Sequence, residues 1–141
     1  MEQDKLKHLE FIQSVISRMN SNSFQIKNLT ITIIAATLAL CAATKNYNFI
    51  LVGITSTILF WLGDAYILNQ ERKFRGLYND YAGISENPLN SKPFEMNTKL
   101  YKKGKYSYLC ALFSKTMLLS YLGMVILLII IFFILNGVCC C

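Results

Sequence analysis

One uncharged apolar run, residues 116–141, limits what this chain can fold into more than any other feature. A helix needs about 20 apolar residues to cross a bilayer, so this run by itself predicts a transmembrane helix. Two further uncharged runs cover 29–43 and 46–63. The first is long enough to span if it extends over 24–44, and the second if it continues through 68. We therefore predict an all-α membrane protein with three spans, in which the first two form a hairpin joined by a tight turn at 44–48.

Basic residues are distributed unevenly around these runs. Four precede the first run, nine lie between the second and the third, one lies in the 44–48 turn and none follows the third run. Because positively charged segments stay on the cytoplasmic side, we predict a cytoplasmic N-terminus, a cytoplasmic 70–115 segment and an external C-terminus. The net charge of +6 then reflects topology and attraction to anionic lipid rather than nucleic-acid binding. The first residues lack the continuous apolar core of a signal peptide.

The segments outside the runs complete the predicted organisation. Residues 1–23 are predicted to form an N-terminal amphipathic cytoplasmic helix, lying on the inner leaflet or against a neighbouring segment, with a turn at Asn20–Ser23. The transmembrane hairpin takes 24–69. Residues 70–115 are predicted to form a cytoplasmic helix extension to about Tyr81, followed by a loop at 83–93 and a basic, tyrosine-rich stretch at 99–109. The third transmembrane helix takes 116–138.

Asp64 follows directly on the second apolar run and is the most informative polar residue. An ionised carboxylate facing lipid costs at least about 2.5 kcal/mol, so Asp64 must face protein, water or the headgroups. One interpretation places it where the span ends, paired with Lys27 or Lys115. Another places it in a helix–helix interface or a central cavity, where it gates or holds an assembly. A catalytic role is the third alternative.

The second helix carries a largely polar stripe that starts inside the membrane and continues into the cytoplasm. Helical spacing places these residues on one face: Thr57, Trp61, Asp64, Leu68, Glu71, Arg75 and Tyr78. Glu71 and Arg75 have the i,i+4 spacing of a helical ion pair. The stripe predicts a contact with protein.

Motifs for catalysis are absent from the sequence. The single histidine, His8, is predicted to be a solvated surface residue, and no nucleophile motif, metal-ligand spacing or nucleotide fingerprint occurs. We therefore predict no enzyme activity, no cofactor and no metal. The Tyr and Lys cluster at 99–108 suits an interfacial anchor or, alternatively, a phosphate-bearing ligand.

Small residues and cysteines add two observations. Ala35, Ala39 and Ala42 or Ala43 in the first span, and Gly53 and Thr57 in the second, have the spacing that lets membrane helices approach closely, within the chain or between copies. Cys41 is interpreted as a small apolar residue. The terminal 139–141 cysteines have no metal-ligand spacing, and an unselected apolar tail is the simplest interpretation.

Two stretches carry a resemblance to a known family: HLEFIQSVISRMNSNSFQIK at 8–27 and FWLGDAYILNQERKFRGLYNDY at 60–81, with FSKTMLLSYLG at 113–123 as a weaker third. They resemble small bacterial multi-span membrane proteins of anti-phage defence loci, found near TIR-domain or other nucleotide-signal enzymes. The matching positions include Arg18, Asp64, Arg72, Arg75 and Tyr78. The resemblance implies an inner-membrane effector that assembles and breaks the membrane barrier, with a cytoplasmic defence partner or a nucleotide-derived signal.

The sequence thus supports two function classes. The first is a defence effector that forms a homo-oligomer and permeabilises the inner membrane, and the second is a membrane anchor or adaptor that docks a cytoplasmic partner without passing ions. A set of residues serves as assembly or gating candidates in the first class: Asp64, Glu71, Arg72, Arg75, Tyr78 and Arg18.

Overall fold

A computed structural model describes residues 2–85, 98, 101 and 104–138. The described part is helical. Its two long helices are α1 (Glu2–Thr44) and α2 (Asn48–Ala82), which pack against each other as an antiparallel hairpin. A 3₁₀ turn (Gly104–Tyr106) leads to the short helix α3 (Tyr108–Leu112). The chain continues through α4 (Lys115–Met117), a π-helical turn (Leu118–Leu122) and α5 (Gly123–Val138).

Within the described residues, three helical segments are long and apolar enough to cross a membrane. They are Gln3–Thr44, Asn48–Ala82 and Lys115–Leu135, and the apolar window of the last has a mean hydropathy of 3.0. The chain is therefore an all-α, multi-pass membrane protein, as predicted. The hairpin turn falls at 44–48 as expected, with Lys45 in a left-handed conformation (φ 53°). The Asn46 side chain accepts a bond from the backbone N–H of Asn48 at 3.1 Å, which supports the first turn of α2.

Helix α1 is continuous, so the turn predicted at Asn20–Ser23 is wrong. Asparagine and serine weaken a helix because their side chains compete for backbone hydrogen bonds. Here Ser23 is buried and its hydroxyl accepts a bond from the Lys27 ammonium at 2.7 Å. Packing of α1 along α2 outweighs the weak propensity of these four residues, as tertiary contacts commonly do. The amphipathic segment and the first span are consequently one rod.

The ends of α1 and α2 opposite the hairpin turn form a structure that we call the stalk, comprising 2–23 of α1 and 70–82 of α2. Its core contains Ile12 and Ile16 of α1, Leu77 of α2 and Tyr101, with Phe74, Tyr78 and Tyr106 packed around them. Helix α2 reaches Ala82, which confirms the predicted extension to about Tyr81. The loop predicted at 83–93 begins with non-helical residues 83–85, and its remainder lies outside the described residues.

His8 belongs to this packing, and the prediction of a solvated histidine is wrong. Its side chain is buried and its ring meets Tyr81 edge-on with centroids 4.5 Å apart. Burial lowers the pKa of His8 below its ordinary value, because desolvation disfavours the charged imidazolium. His8 therefore acts as a neutral aromatic residue at the far end of the stalk.

The apolar half of the hairpin has a second core, in which α1 and α2 meet α5. Cys41, Ile50 and Leu128 are its buried members, and Cys41 thus behaves as the small apolar residue that was predicted. The two hairpin helices approach closely at Gly53, where an added Cβ would lie 2.8 Å from Thr37 Oγ1. Gly53 and Thr57 therefore serve packing within the chain.

Candidate functional site

Asp64 lies at the junction of three helical segments. Its carboxylate is fully buried, and Oδ2 accepts bonds from the Lys27 ammonium at 2.6 Å and from the Tyr121 hydroxyl at 2.9 Å. Lys27 comes from α1, Asp64 from α2 and Tyr121 from the π-helical turn of the third span. We call these three residues the junction cluster. It is the charged link between the hairpin and the third span.

The sequence anticipated part of this arrangement. Pairing of Asp64 with Lys27 and its position in a helix–helix interface are both confirmed, since the ammonium lies in salt-bridge contact and the carboxylate is enclosed. The interface lies within one chain. Tyr121 was missed, although the signal was present: a phenol interrupts an otherwise apolar run, where a polar side chain needs a partner.

The hydrogen-bonding capacity of the junction cluster is only partly used. Asp64 Oδ1 is buried and has no hydrogen-bond partner within the described residues. Lys27 keeps 28% of its side chain exposed and also contacts Ser23. A buried charge whose bonds are only partly formed costs free energy that apolar packing would not. Such a cluster is better suited to selecting one arrangement of the helices than to maximising stability.

The π-helical turn supplies the phenol. Helix α4 changes to i→i+5 bonding over Leu118–Leu122 before α5 begins. A π turn widens the helix locally and shifts the direction of its side chains, and such turns are frequent at functional sites. Tyr121 is fully buried there, with its ring stacked parallel to that of Trp61 at a centroid distance of 6.4 Å. The irregular turn therefore lies where the third span meets the junction cluster.

Removing the Tyr121 hydroxyl tests this link. We expect Tyr121→Phe to lower the free energy of unfolding by about 1.5 kcal/mol, because it deletes a hydrogen bond to a buried carboxylate. The loss is measured by SDS titration in mixed micelles. Tyr108→Phe is the matched control, since the Tyr108 hydroxyl donates to the Leu62 carbonyl at 3.0 Å in an exposed position. Equal losses in the two variants would contradict a special role for the junction cluster.

Side chains of α2 donate hydrogen bonds to helix α3 just before the third span. Arg72 donates to the Cys110 carbonyl at 3.1 Å and to Ser114 Oγ at 3.0 Å. The Trp61 indole donates to the Leu112 carbonyl at 3.2 Å. These side chains satisfy carbonyls that the short helix leaves unbonded at its C-terminus, and the Arg72 charge also suits the helix dipole. Arg72 thus ties the segment just before the third span to α2.

The remaining predicted site residues divide between α2 and α1. Glu71 is buried and forms the predicted ion pair with Arg75 at 2.6 Å. Tyr78 is half-buried against the stalk core. Arg18 is exposed on α1 and makes no hydrogen bond or ion pair with the described residues. The structure therefore groups Glu71, Arg72, Arg75 and Tyr78 within two turns of α2, and this group begins two turns beyond Asp64.

The polar stripe of α2 contacts protein along most of its length, as predicted. Thr57, Asp64 and Glu71, seven residues apart, are all buried. Arg75 is the exception, with 60% of its side chain exposed. By contrast, Ala35, Ala39, Ala42 and Ala43 of α1 are exposed, so this small-residue face does not pack within the chain.

The donor chemistry of the described residues does not suit a metal ion. Across 2–85, 98, 101 and 104–138, no three His, Cys, Asp or Glu side chains come together. The charged groups that do meet are carboxylate with ammonium, and carboxylate with guanidinium.

Comparisons with known proteins give no match. No protein-family model fits the chain, and neither a curated protein nor a solved structure resembles it at a significant level.

Proposed function

We propose that the chain is a membrane effector that self-associates in the bilayer and permeabilises it, and that the junction cluster holds the protomer in a resting arrangement. The observation that carries this proposal is the buried Lys27–Asp64–Tyr121 network, which ties three helical segments with one carboxylate. Charged groups inside membrane helices are costly and generally serve function. A two-state effector needs a linkage of this kind, because a local change can then release a whole span.

Self-association is supported by the outward face of α1. The exposed alanines at 35, 39, 42 and 43 offer a surface on which a second helix can approach closely. Three spans alone do not enclose an aqueous path, so permeabilisation by this mechanism needs several copies. The charge distribution supports a stalk in the cytoplasm and an external C-terminus. The family resemblance adds the inner membrane and antiviral defence as the setting.

Dye release from liposomes tests the proposal. We expect liposomes with the wild-type protein to release dye slowly and liposomes with Asp64→Asn to release it roughly tenfold faster. A loss of about 1.4 kcal/mol in the stability of the resting state shifts the population of that state by this factor. Lys27 retains a neutral amide partner in this variant, so the fold persists. Glu10→Gln, which removes an exposed carboxylate from the stalk, is the matched control and should leak at the wild-type rate.

The two leak rates separate the function classes. Equal leakage from wild type and Asp64→Asn would contradict a resting-state role for the junction cluster. Absence of leakage from both variants would favour the second candidate, a membrane adaptor.

One observation favours the adaptor as that second candidate. A groove of about 510 Å³ opens on the stalk between α1 and Tyr78, and Leu6, which lines it, has 57% of its surface exposed. Its lining combines apolar and polar side chains, as a docking surface for a partner helix does. Leu6→Glu would then abolish partner binding without affecting insertion in the membrane.

A further inference from the structure

An open cleft lies on the stalk, away from the junction cluster. It has a volume of about 380 Å³ and is lined by Arg72, Arg75, Gly76, Asn79 and Tyr106. This volume falls in the range of small-molecule sites. Two guanidinium groups, an amide and a phenol thus surround one space. We propose that the cleft binds a phosphate-bearing anion.

The charge presented to solvent in the cleft is positive. Arg75 is 60% exposed, whereas the Glu71 carboxylate that it pairs with is only 7% exposed. The pair joins one guanidinium nitrogen of Arg75 to one carboxylate oxygen. Because a guanidinium carries five N–H donors in a planar fork, Arg75 retains donors that an anion can accept from. Arginine forks of this kind bind phosphate oxygens bidentately.

Arg75 is positioned as the central residue of the site. It also lines a neighbouring cleft of about 320 Å³, together with Asn79 and three residues of the α1–α2 interface. Arg75 and Asn79 therefore lie between two open spaces, and 60% of the Arg75 side chain is exposed there. A side chain in that position can turn toward a ligand without disturbing the stalk core.

Arg72 and Gly76 provide a fixed wall. Arg72 is held by the Cys110 carbonyl and by Ser114, so its guanidinium does not need to be ordered when a ligand binds. Gly76 is covered by Tyr106, whose Oη would lie 2.7 Å from a Cβ added there, so the tyrosine packs directly on the backbone of α2. The cleft thus combines a pre-positioned arginine, a tyrosine packed on the helix backbone and one adaptable arginine.

Two sources of the phosphate fit the location. Arg75 lies about 16 Å along α2 from Asp64, at a rise of about 1.5 Å per residue. Because the uncharged apolar run of α2 ends at Asp64, that distance places the cleft well beyond the run, within reach of lipid headgroups and of soluble compounds. The shared chemistry is a phosphomonoester or diphosphate group.

Binding of two probes to the full-length chain in zwitterionic micelles tests the proposal. Inorganic pyrophosphate represents the soluble source and dioleoyl phosphatidic acid the lipid source, with affinity measured by calorimetry and stoichiometry by native mass spectrometry. We expect one molecule per chain of at least one probe. Binding of pyrophosphate alone assigns a soluble ligand, whereas binding of phosphatidic acid, alone or in competition with pyrophosphate, assigns a lipid.

Variants localise the binding. Arg75→Gln should weaken it at least about tenfold, because it removes charge-assisted hydrogen bonds. Arg75→Lys should rescue only part of the affinity, since lysine keeps the charge but not the fork. Lys73→Gln, an equal charge loss on the same turn but outside the five lining residues, should change the affinity less than about twofold.

A further variant distinguishes loss of binding from loss of the fold. Asn79→Leu leaves the Glu71–Arg75 ion pair in place and should still weaken binding several-fold, because it removes a lining amide. Failure of both probes to bind, or equal weakening by Lys73→Gln and Arg75→Gln, would overturn the proposal. Neither result depends on whether the protein permeabilises membranes, so this site and the proposed function fail or stand separately.

Discussion

Lys27→Met is expected to lower the free energy of unfolding by about 3 kcal/mol. The substitution leaves Asp64 buried with one hydrogen bond, from Tyr121, and with Oδ1 still unpartnered. A buried carboxylate without its counter-charge is among the costliest states in a fold, and in a membrane span water cannot readily solvate it. The loss can be measured by SDS titration followed through the fluorescence of Trp61, the single tryptophan, which contacts both α3 and Tyr121.

Two further variants make this expectation specific. The double variant Lys27→Met with Asp64→Leu should recover most of the lost stability, because apolar side chains of similar size replace both charges. Lys115→Met removes an exposed ammonium at the start of the third span and should change the stability by less than about 0.5 kcal/mol. If Lys27→Met were no more damaging than Lys115→Met, the ion pair would contribute nothing to the fold.

Gly76→Ala is expected to cost about 2 kcal/mol, as overpacking of a filled core does. The new Cβ would lie 2.9 Å from the ring of Tyr101, which is only 2% exposed and cannot move freely. The Tyr101 hydroxyl is also fixed, since it donates to the Asp80 carboxylate. Burial, and secondarily that bond, raise the pKa of Tyr101, so the phenol stays protonated and continues to donate. Thermal unfolding in micelles measures the cost.

Gly63→Ala is the matched control on the same helix. No atom lies within 4 Å of a Cβ added at Gly63. Alanine has the higher helix propensity, so this variant should be neutral or more stable by up to about 1 kcal/mol. Equal destabilisation by the two substitutions would show that Gly76 is not required for the close approach of Tyr101 to α2.

Much of the fold was predictable because bilayer thickness and helical periodicity impose patterns that can be recognised in the sequence. The three spans, the 44–48 turn and the extension of α2 followed from run length and from the absence of a proline or a pair of glycines between Asn48 and Gly83. The Glu71–Arg75 pair followed from i,i+4 spacing, and the choice of Lys27 or Lys115 for Asp64 from the cost of a lone charge.

The incorrect predictions concern residues whose conformation or burial is decided by tertiary packing rather than by the local sequence. A turn at Asn20–Ser23 was expected from local propensity, yet Ser23 faces α2 and the helix continues. His8 was expected in solvent, but Tyr81 from the far end of α2 covers it. Tyr121 was overlooked because its contact with Asp64 joins residues 57 positions apart, which no local pattern reveals.

Continuity of α1 has a mechanical consequence. An unbroken helix of 43 residues is about 64 Å long and runs past the contact of Lys27 with Asp64 without a hinge. About 38 Å of the rod lies on the N-terminal side of Lys27 and about 26 Å on the other. Both parts pack against α2, the first at the stalk core and the second around Cys41 and Ile50. Because no break within α1 can absorb a displacement of the stalk, the helix transmits that displacement along its length to the 44–48 turn.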